Sequence, residues 1–205
     1  YKDAIELLEN IPNKDAQLQR TYQRVTFYRG LEMYQDRRNT DALALLNKSL
    51  QNPLDASIAA QAYFWQGDIY YKEGNYTNSF NAMQSFLGRA NSVEATDKVS
   101  SATANYTIGY TLFKQGEYKN ALPYFESVEQ LLGGKPKLLD ARTVSSQVYP
   151  DAIGRAGDCY FMQKNYAKAT DKYDMIVKYA LRGADYAYYQ KGILAGLQAK
   201  PADKI

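Results

Sequence analysis

Apolar residues recur at helical spacing from Ala60 to Glu73, stop at Gly74-Asn75 and resume from Tyr76 to Leu87. That rhythm predicts two helices joined by a tight turn. The same pattern returns twice more. Gly67-Asp68-Ile69-Tyr70 with Gly74-Asn75-Tyr76 is matched by Gly109-Tyr110-Thr111-Leu112 with Gly116-Glu117-Tyr118, and by Gly157-Asp158-Cys159-Tyr160 with Asn165-Tyr166. From each leading Gly, a Tyr follows nine residues on and a small residue twelve residues on (Ser79, Ala121, Ala169), with an apolar residue four further (Met83, Phe125, Tyr173). A fixed offset of this kind marks one supersecondary unit used several times, so the chain is an internal repeat.

Anchored on that Gly, the copies fall at 30, 67, 109, 157 and 192, spaced by 37, 42, 48 and 35 residues. These spacings scatter just above a helix-turn-helix unit of about 34 residues. The first copy is weaker: Gly30, Ala42, Leu46 and Pro53 fit, but Asp36-Arg37-Arg38-Asn39 replaces the Gly turn. Around Gly192 only the first helix of a hairpin is legible. Tyr1, Ala4 and Leu8 repeat the second half of the unit, so the chain reads as starting mid-repeat, and Lys200 to Ile205 reads as the beginning of another second helix. The expected organisation is a single array over 1–205: a partial repeat 1–14, repeats near 15–54, 55–94, 95–137 and 138–183, and a partial repeat 184–205. Ile5, Leu8 and Ile11 then lie on a helix lacking its own hairpin partner.

The small positions have a packing reason. Where the first helix of a unit (helix A) crosses the second (helix B), Gly30, Gly67, Gly109, Gly157 and Gly192 let backbones approach, and Ala42, Ser79, Ala121 and Ala169 answer from the partner. Tyr76, Tyr118 and Tyr166 open helix B and are expected to pack into the hairpin. The turns at Gly74-Asn75, Gly116-Glu117 and Lys164-Asn165 use Gly and Asn, which tolerate left-handed backbone. Extra length lies between copies: 88–96 forms one connection, and 133–149 a longer one, after which Pro150 is expected to open the next helix in its first turn.

Composition removes most chemistry. There is no histidine, the commonest general base and metal ligand. The one cysteine, Cys159, reads as a buried structural thiol, and no intrachain disulfide is possible. Carboxylate pairs such as Asp15 with Glu32, or Asp151 with Asp158, read as solvated helix faces, and neither a metal-ligand cluster nor a phosphate loop is present. With 25 basic and 22 acidic residues, the net charge of +3 gives no continuous basic stripe for nucleic acid. No apolar run reaches the roughly 18 residues of a membrane span. The outlier is tyrosine, with 20 copies.

Gly at repeat position 8, an aromatic at 11, Gly or Asn near 15, Tyr at 17, Ala at 20 and an aromatic or Leu at 24 together resemble the tetratricopeptide repeat (TPR) family. The match is strongest from about residue 58 to 180. Position 4, where the family favours Trp or Leu, departs from the pattern with Thr26, Tyr63, Asn105, Ile153 and Tyr188. The resemblance implies an all-α, right-handed superhelical solenoid of stacked antiparallel hairpins, with about four complete repeats plus partial ones at both ends. A narrower likeness lies in Tyr63-Phe64-Trp65-Gln66-Gly67-Asp68-Ile69-Tyr70-Tyr71, which is similar to the aromatic-rich repeats of bacterial cell-envelope TPR proteins. It favours a periplasmic or outer-membrane-associated setting over a cytoplasmic one.

The family pattern places positions 2, 5, 9, 12 and 13 of the A helices on a concave ligand wall. Here that implies a groove of Phe64, Asp68, Tyr71, Lys72, Tyr106, Tyr110, Phe113, Lys114, Asp158 and Phe161. The wall is aromatic, with Arg24, Lys72 and Lys114 as a cationic fringe. TPR domains that grip a chaperone's C-terminal carboxylate use Lys at position 5 and Asn at position 9, because a buried carboxylate needs cationic and amide donors. No copy has that pair. The resulting expectation is a non-enzymatic scaffold binding a protein or extended peptide, with no cofactor, no metal and no nucleic acid. A glycan-binding role in outer-membrane nutrient uptake is the alternative, with 133–149 as the only segment long enough to build a sugar site.

Overall fold

The computed structural model describes residues 1–133 and 143–198. Every described regular element is a helix, and the chain divides into two compact units, Tyr1–Val99 and Ser100–Ile205. The first unit contains α1 (Lys2–Glu9), α2 (Ala16–Gln35), α3 (Asn39–Leu50), α4 (Ala56–Lys72) and α5 (Tyr76–Leu87), followed by a 3-10 turn at Ala90–Ser92. Its hairpins are α2 with α3 and α4 with α5. The second unit contains α6 (Ser101–Lys114), α7 (Tyr118–Leu132), α8 (Val144–Met162), α9 (Tyr166–Lys178) and α10 (Ala184–Gln198), paired as α6 with α7 and α8 with α9, while α10 packs on α9.

Capping residues fix most helix starts. Asp15 caps α2 by accepting from the Leu18 amide at 2.8 Å, and Asp55 caps α4 through Ser57 and Ile58. Ser100 and Thr103 form a reciprocal capping box at α6. The hairpin turns share one backbone device. Arg37, Gly74, Gly116 and Lys164 all stand seven residues after the position-8 Gly, and all four are left-handed, with φ of 60°, 75°, 78° and 60°. The Asn residues serve differently from expectation: Asn75 and Asn165 have negative φ and cap α5 and α9, accepting from the Asn78 and Lys168 amides. Arg37 and Lys164 therefore occupy a conformation that disfavours a Cβ, at a cost of roughly 1–2 kcal/mol each.

The position-8 glycines sit at the helix crossings. A Cβ on Gly67 would lie 2.7 Å from Met83 Cγ, one on Gly109 2.8 Å from the Phe125 ring, and one on Gly157 2.7 Å from the Tyr173 ring. The nearest atoms thus belong to position 24, not position 20. The small residue at position 20 lies beside them: Ser79 Oγ donates to the Gly67 carbonyl at 2.9 Å, and the Ala42 carbonyl is 3.4 Å from a Cβ built on Gly30. Gly192 differs, with open space around it.

Three expectations are corrected. Pro150 is an interior residue of α8, because Thr143 supplies an earlier cap by accepting from the Ser146 amide, and Tyr149 just before the Pro is buried in the core. Residues 144–149 are therefore helix, and the rest of the predicted 133–149 connection, from 134 to 142, lies outside the described residues. So do Lys200 to Ile205. In α1, Ile5 and Leu8 are buried against α2, while Ile11 lies beyond the helix.

The crossing geometry predicts opposite outcomes at two equivalent glycines. Gly109→Ala forces the Phe125 ring aside and should cost about 1–3 kcal/mol, whereas Gly192→Ala, in a helix with free space, should gain up to about 1 kcal/mol. Urea unfolding of both variants checks this; equal effects would remove the crossing argument.

Candidate functional site

Position 12 turns inward within its own hairpin in α4, α6 and α8, whereas in α2 it is Tyr34, which reaches the next A helix. Tyr71 meets Tyr76 with ring centroids 6.1 Å apart, Phe113 meets Tyr118 at 5.1 Å, and Phe161 meets Tyr166 at 5.8 Å. Each pair joins the end of helix A to the first residue of helix B and closes the turn. Position 5 is also largely consumed by packing: Phe27 and Phe64 are buried, and Phe64 stands edge-on to Phe86 at 5.2 Å. Of the expected groove residues, Phe64 and Asp158 are buried, Lys72 and Lys114 are exposed, and Asp68, Tyr71, Tyr106, Tyr110, Phe113 and Phe161 are half-buried.

What joins successive A helices is a set of phenol-to-carboxylate hydrogen bonds. In the first unit, Tyr34 of α2 donates to Asp68 Oδ2 of α4 at 2.6 Å and accepts from Lys72, which also pairs with Asp68 at 2.8 Å. The Trp65 ring lies 5.2 Å from that of Tyr34, and the Lys98 ammonium sits 4.6 Å from the Trp65 ring centre. Burial raises the Tyr34 pKa, and its bond to Asp68 raises it further. Burial opposes the Lys72 charge, yet Asp68 and Tyr34 hold its pKa above the ordinary value.

In the second unit the network centres on Arg155. Tyr106 and Tyr110 of α6 both donate to Asp151 Oδ2 of α8, at 2.8 and 2.5 Å. Arg155 Nη1 binds Asp158 Oδ2 at 2.6 Å, and its buried Nε lies 3.7 Å from Asp151 Oδ1 with no hydrogen-bond partner. Asp158 Oδ1 accepts from Tyr173 of α9 at 2.6 Å and from Tyr186 of α10 at 2.8 Å. The guanidinium rests 5.2 Å from the Tyr186 ring and 5.8 Å from that of Phe113. Desolvation, reinforced by the adjacent carboxylates, pushes Tyr106, Tyr110 and Tyr173 well above the ordinary phenol range, and Tyr186 up to about 12.

Beside this network lies a cavity of about 430 Å³, bordered by Tyr106, Pro150, Gly154, Ile176, Arg182 and Tyr186, with Gln147, Asp151, Arg155, Gly183 and Asp185 completing the wall. Arg155, Asp151, Tyr186 and Trp65 are thus members of the A-helix surface outside the sequence-derived groove. The Asp151, Arg155, Asp158 spacing was the available signal, since i, i+4 and i, i+3 partners share a helix face. Asp15 and Glu32 do not form a pair: they stand at opposite ends of α2, roughly 25 Å apart at 1.5 Å per residue. Cys159 is buried, and desolvation pushes its thiol up to about 12. Among the described residues no group of three or more His, Cys, Asp or Glu converges on a metal position, and no helix is long and apolar enough to cross a membrane.

The molecule is therefore a helical-hairpin repeat protein whose A helices are tied together within each unit by phenol-carboxylate bonds. Residues 27–94 and 102–131 match tetratricopeptide repeat family models. Among solved structures, the chain is similar to YrrB, a TPR protein with an unusual peptide-binding site, at TM-score 0.63 and 21% identity over 96% of this chain and 82% of that one. It is also similar to the apo form of RapI, at TM-score 0.62 and 15% identity over 86% of this chain and 64% of that one, so it spans less than two thirds of RapI. No curated protein sequence matches the chain.

The raised phenols predict an alkaline limit to stability. A phenol whose pKa is higher folded than unfolded contributes stability that is fully present below the unfolded value of about 10 and lost as pH rises through the folded value. With Tyr160 and Tyr186 both pushed up to about 12, the urea midpoint should fall between pH 10 and 12. Tyr186→Phe should flatten that decline, and an unchanged wild-type midpoint up to pH 12 would contradict the assignment.

Proposed function

We propose that this protein is a non-enzymatic interaction scaffold that binds a peptide or a partner protein on the A-helix faces of its repeats. The observation that carries this reading is the tethering of half-buried tyrosines to Asp68 and Asp151. A tethered aromatic offers contact area without losing rotamer freedom on binding, which is how recognition surfaces reduce the entropic cost of association. The absence of histidine from the sequence leaves general acid-base chemistry without its usual group. The peptide-binding site named for YrrB agrees with this use of the fold. Tyr63-Phe64-Trp65-Gln66-Gly67 supports a place within a longer bacterial cell-envelope protein, which fractionation of the native protein tests: recovery solely in the cytoplasm would end that part of the reading.

Panning a random twelve-residue peptide library on the chain tests the scaffold role. Enrichment of mutually competing peptides is expected. Tyr106→Ala and Tyr110→Ala, each confirmed folded by circular dichroism, should weaken the selected peptides about tenfold. No enrichment above a blank surface would sink the scaffold reading, and unaffected variants would sink the placement on α6.

A further inference from the structure

Helix α8 departs from the other complete A helices at position 5, where it carries Gly154 while α2, α4 and α6 carry Phe27, Phe64 and Tyr106. No close approach demands this glycine. A Cβ on Gly154 would meet only Ile176 Cδ1, at an ordinary 3.5 Å, in contrast to the 2.7 and 2.8 Å contacts awaiting one on Gly157 or Gly109. In the α4/α5 hairpin the position-5 ring of Phe64 packs edge-on against Phe86, ten residues beyond the Tyr that opens helix B. The residue at the same offset in α9 is Ile176, which lines the cavity together with Gly154. The cavity thus opens beside the backbone atom that carries an aromatic ring in the other hairpins.

We propose that this cavity receives an aromatic side chain, Phe or Tyr, of a bound peptide, which supplies to α8 the ring that its own position 5 lacks. The inference rests on the peptide-binding reading above and names the recognition element of the second unit. The volume of about 430 Å³ lies within the ~300–1,000 Å³ of ligand sites, which exceeds a ring alone and leaves room for flanking main chain. Ile176 and Pro150 provide buried apolar wall. The rings of Tyr106 and Tyr186 border it with their hydroxyls already engaged by Asp151 and Asp158, so they present ring edges and faces, the groups that an incoming ring packs against. The charged lining is balanced, Arg155 and Arg182 against Asp151 and Asp185. Selection therefore falls on the ring and not on ligand charge.

The blocked tripeptides acetyl-Gly-Phe-Gly-amide and acetyl-Gly-Ala-Gly-amide, titrated into the whole chain by NMR, test this. The Phe peptide should shift the ring resonances of Tyr106 and Tyr186 at millimolar concentration, and the Ala peptide should bind at least about tenfold more weakly. Gly154→Phe fills the space and should abolish the shifts, while Gly154→Ala, which takes up one methyl group of it, should weaken binding by about threefold. If Gly154→Phe fails to melt cooperatively, Gly154→Val replaces it, with an expected loss of about fivefold. Equal binding of the two tripeptides, or full binding by a folded variant with the cavity filled, overturns the proposal. Enriched library peptides with no tripeptide shift retire the cavity alone. Tripeptide shifts with no library enrichment retire the broader scaffold reading.

Discussion

Each hairpin depends on how closely its two helices cross. At Gly67, Gly109 and Gly157 the space that a Cβ would need is taken by Met83, Phe125 and Tyr173, so a large side chain of helix B lies directly on the backbone of helix A. That contact excludes water from the crossing and fixes the rotation of one helix about the other. Rotation then determines what every other position faces. It brings Phe113 onto Tyr118 and Phe161 onto Tyr166 at the turn, and it turns Asp151 and Tyr186 at position 2, and Asp68, Tyr110 and Asp158 at position 9, toward a neighbouring A helix.

A second layer of order is polar. Tyr34 to Asp68, Tyr106 and Tyr110 to Asp151, and Tyr186 to Asp158 each link consecutive A helices within a unit. Apolar stacking alone tolerates sliding, because hydrophobic contact is nondirectional. A hydroxyl aimed at a carboxylate does not, since displacement leaves a partly buried charge short of partners. These bonds therefore set the register in which neighbouring hairpins meet. Asp158 shows the requirement most clearly: it is buried, and it is matched by Arg155 and two phenols.

The hairpins were legible in the sequence because their signals are local. Gly74 and Gly116 mark turns by backbone preference, and the offset from Gly67 to Met83 repeats as Gly109 to Phe125, so periodicity alone identified the helix pairs. Reading failed where a signal depended on context. Pro150 usually opens helices, but Thr143 capped α8 earlier. Lys164 takes the left-handed turn beside an Asn that the sequence favoured for it, because Asn165 is needed to cap α9. For the candidate site, the residue types at positions 5, 9 and 12 were readable but their burial was not. Whether Tyr71 faces solvent or Tyr76 depends on a ring three-dimensionally adjacent, and whether Asp151 is solvated depends on two tyrosines over 40 positions away.

The tyrosine network has a consequence for the medium in which the protein works. Its phenols titrate above their ordinary range, Lys72 is held above its own, Glu9 is held below the usual carboxylate value by Lys48 and Tyr22, and the sequence contains no imidazole. Every one of these displacements points away from neutrality. These tyrosines and Lys72 consequently keep one protonation state across the acidities that distinguish one cellular compartment from another. A complex that loosened or tightened on mild acidification would owe that response to some other group, such as one its partner brings.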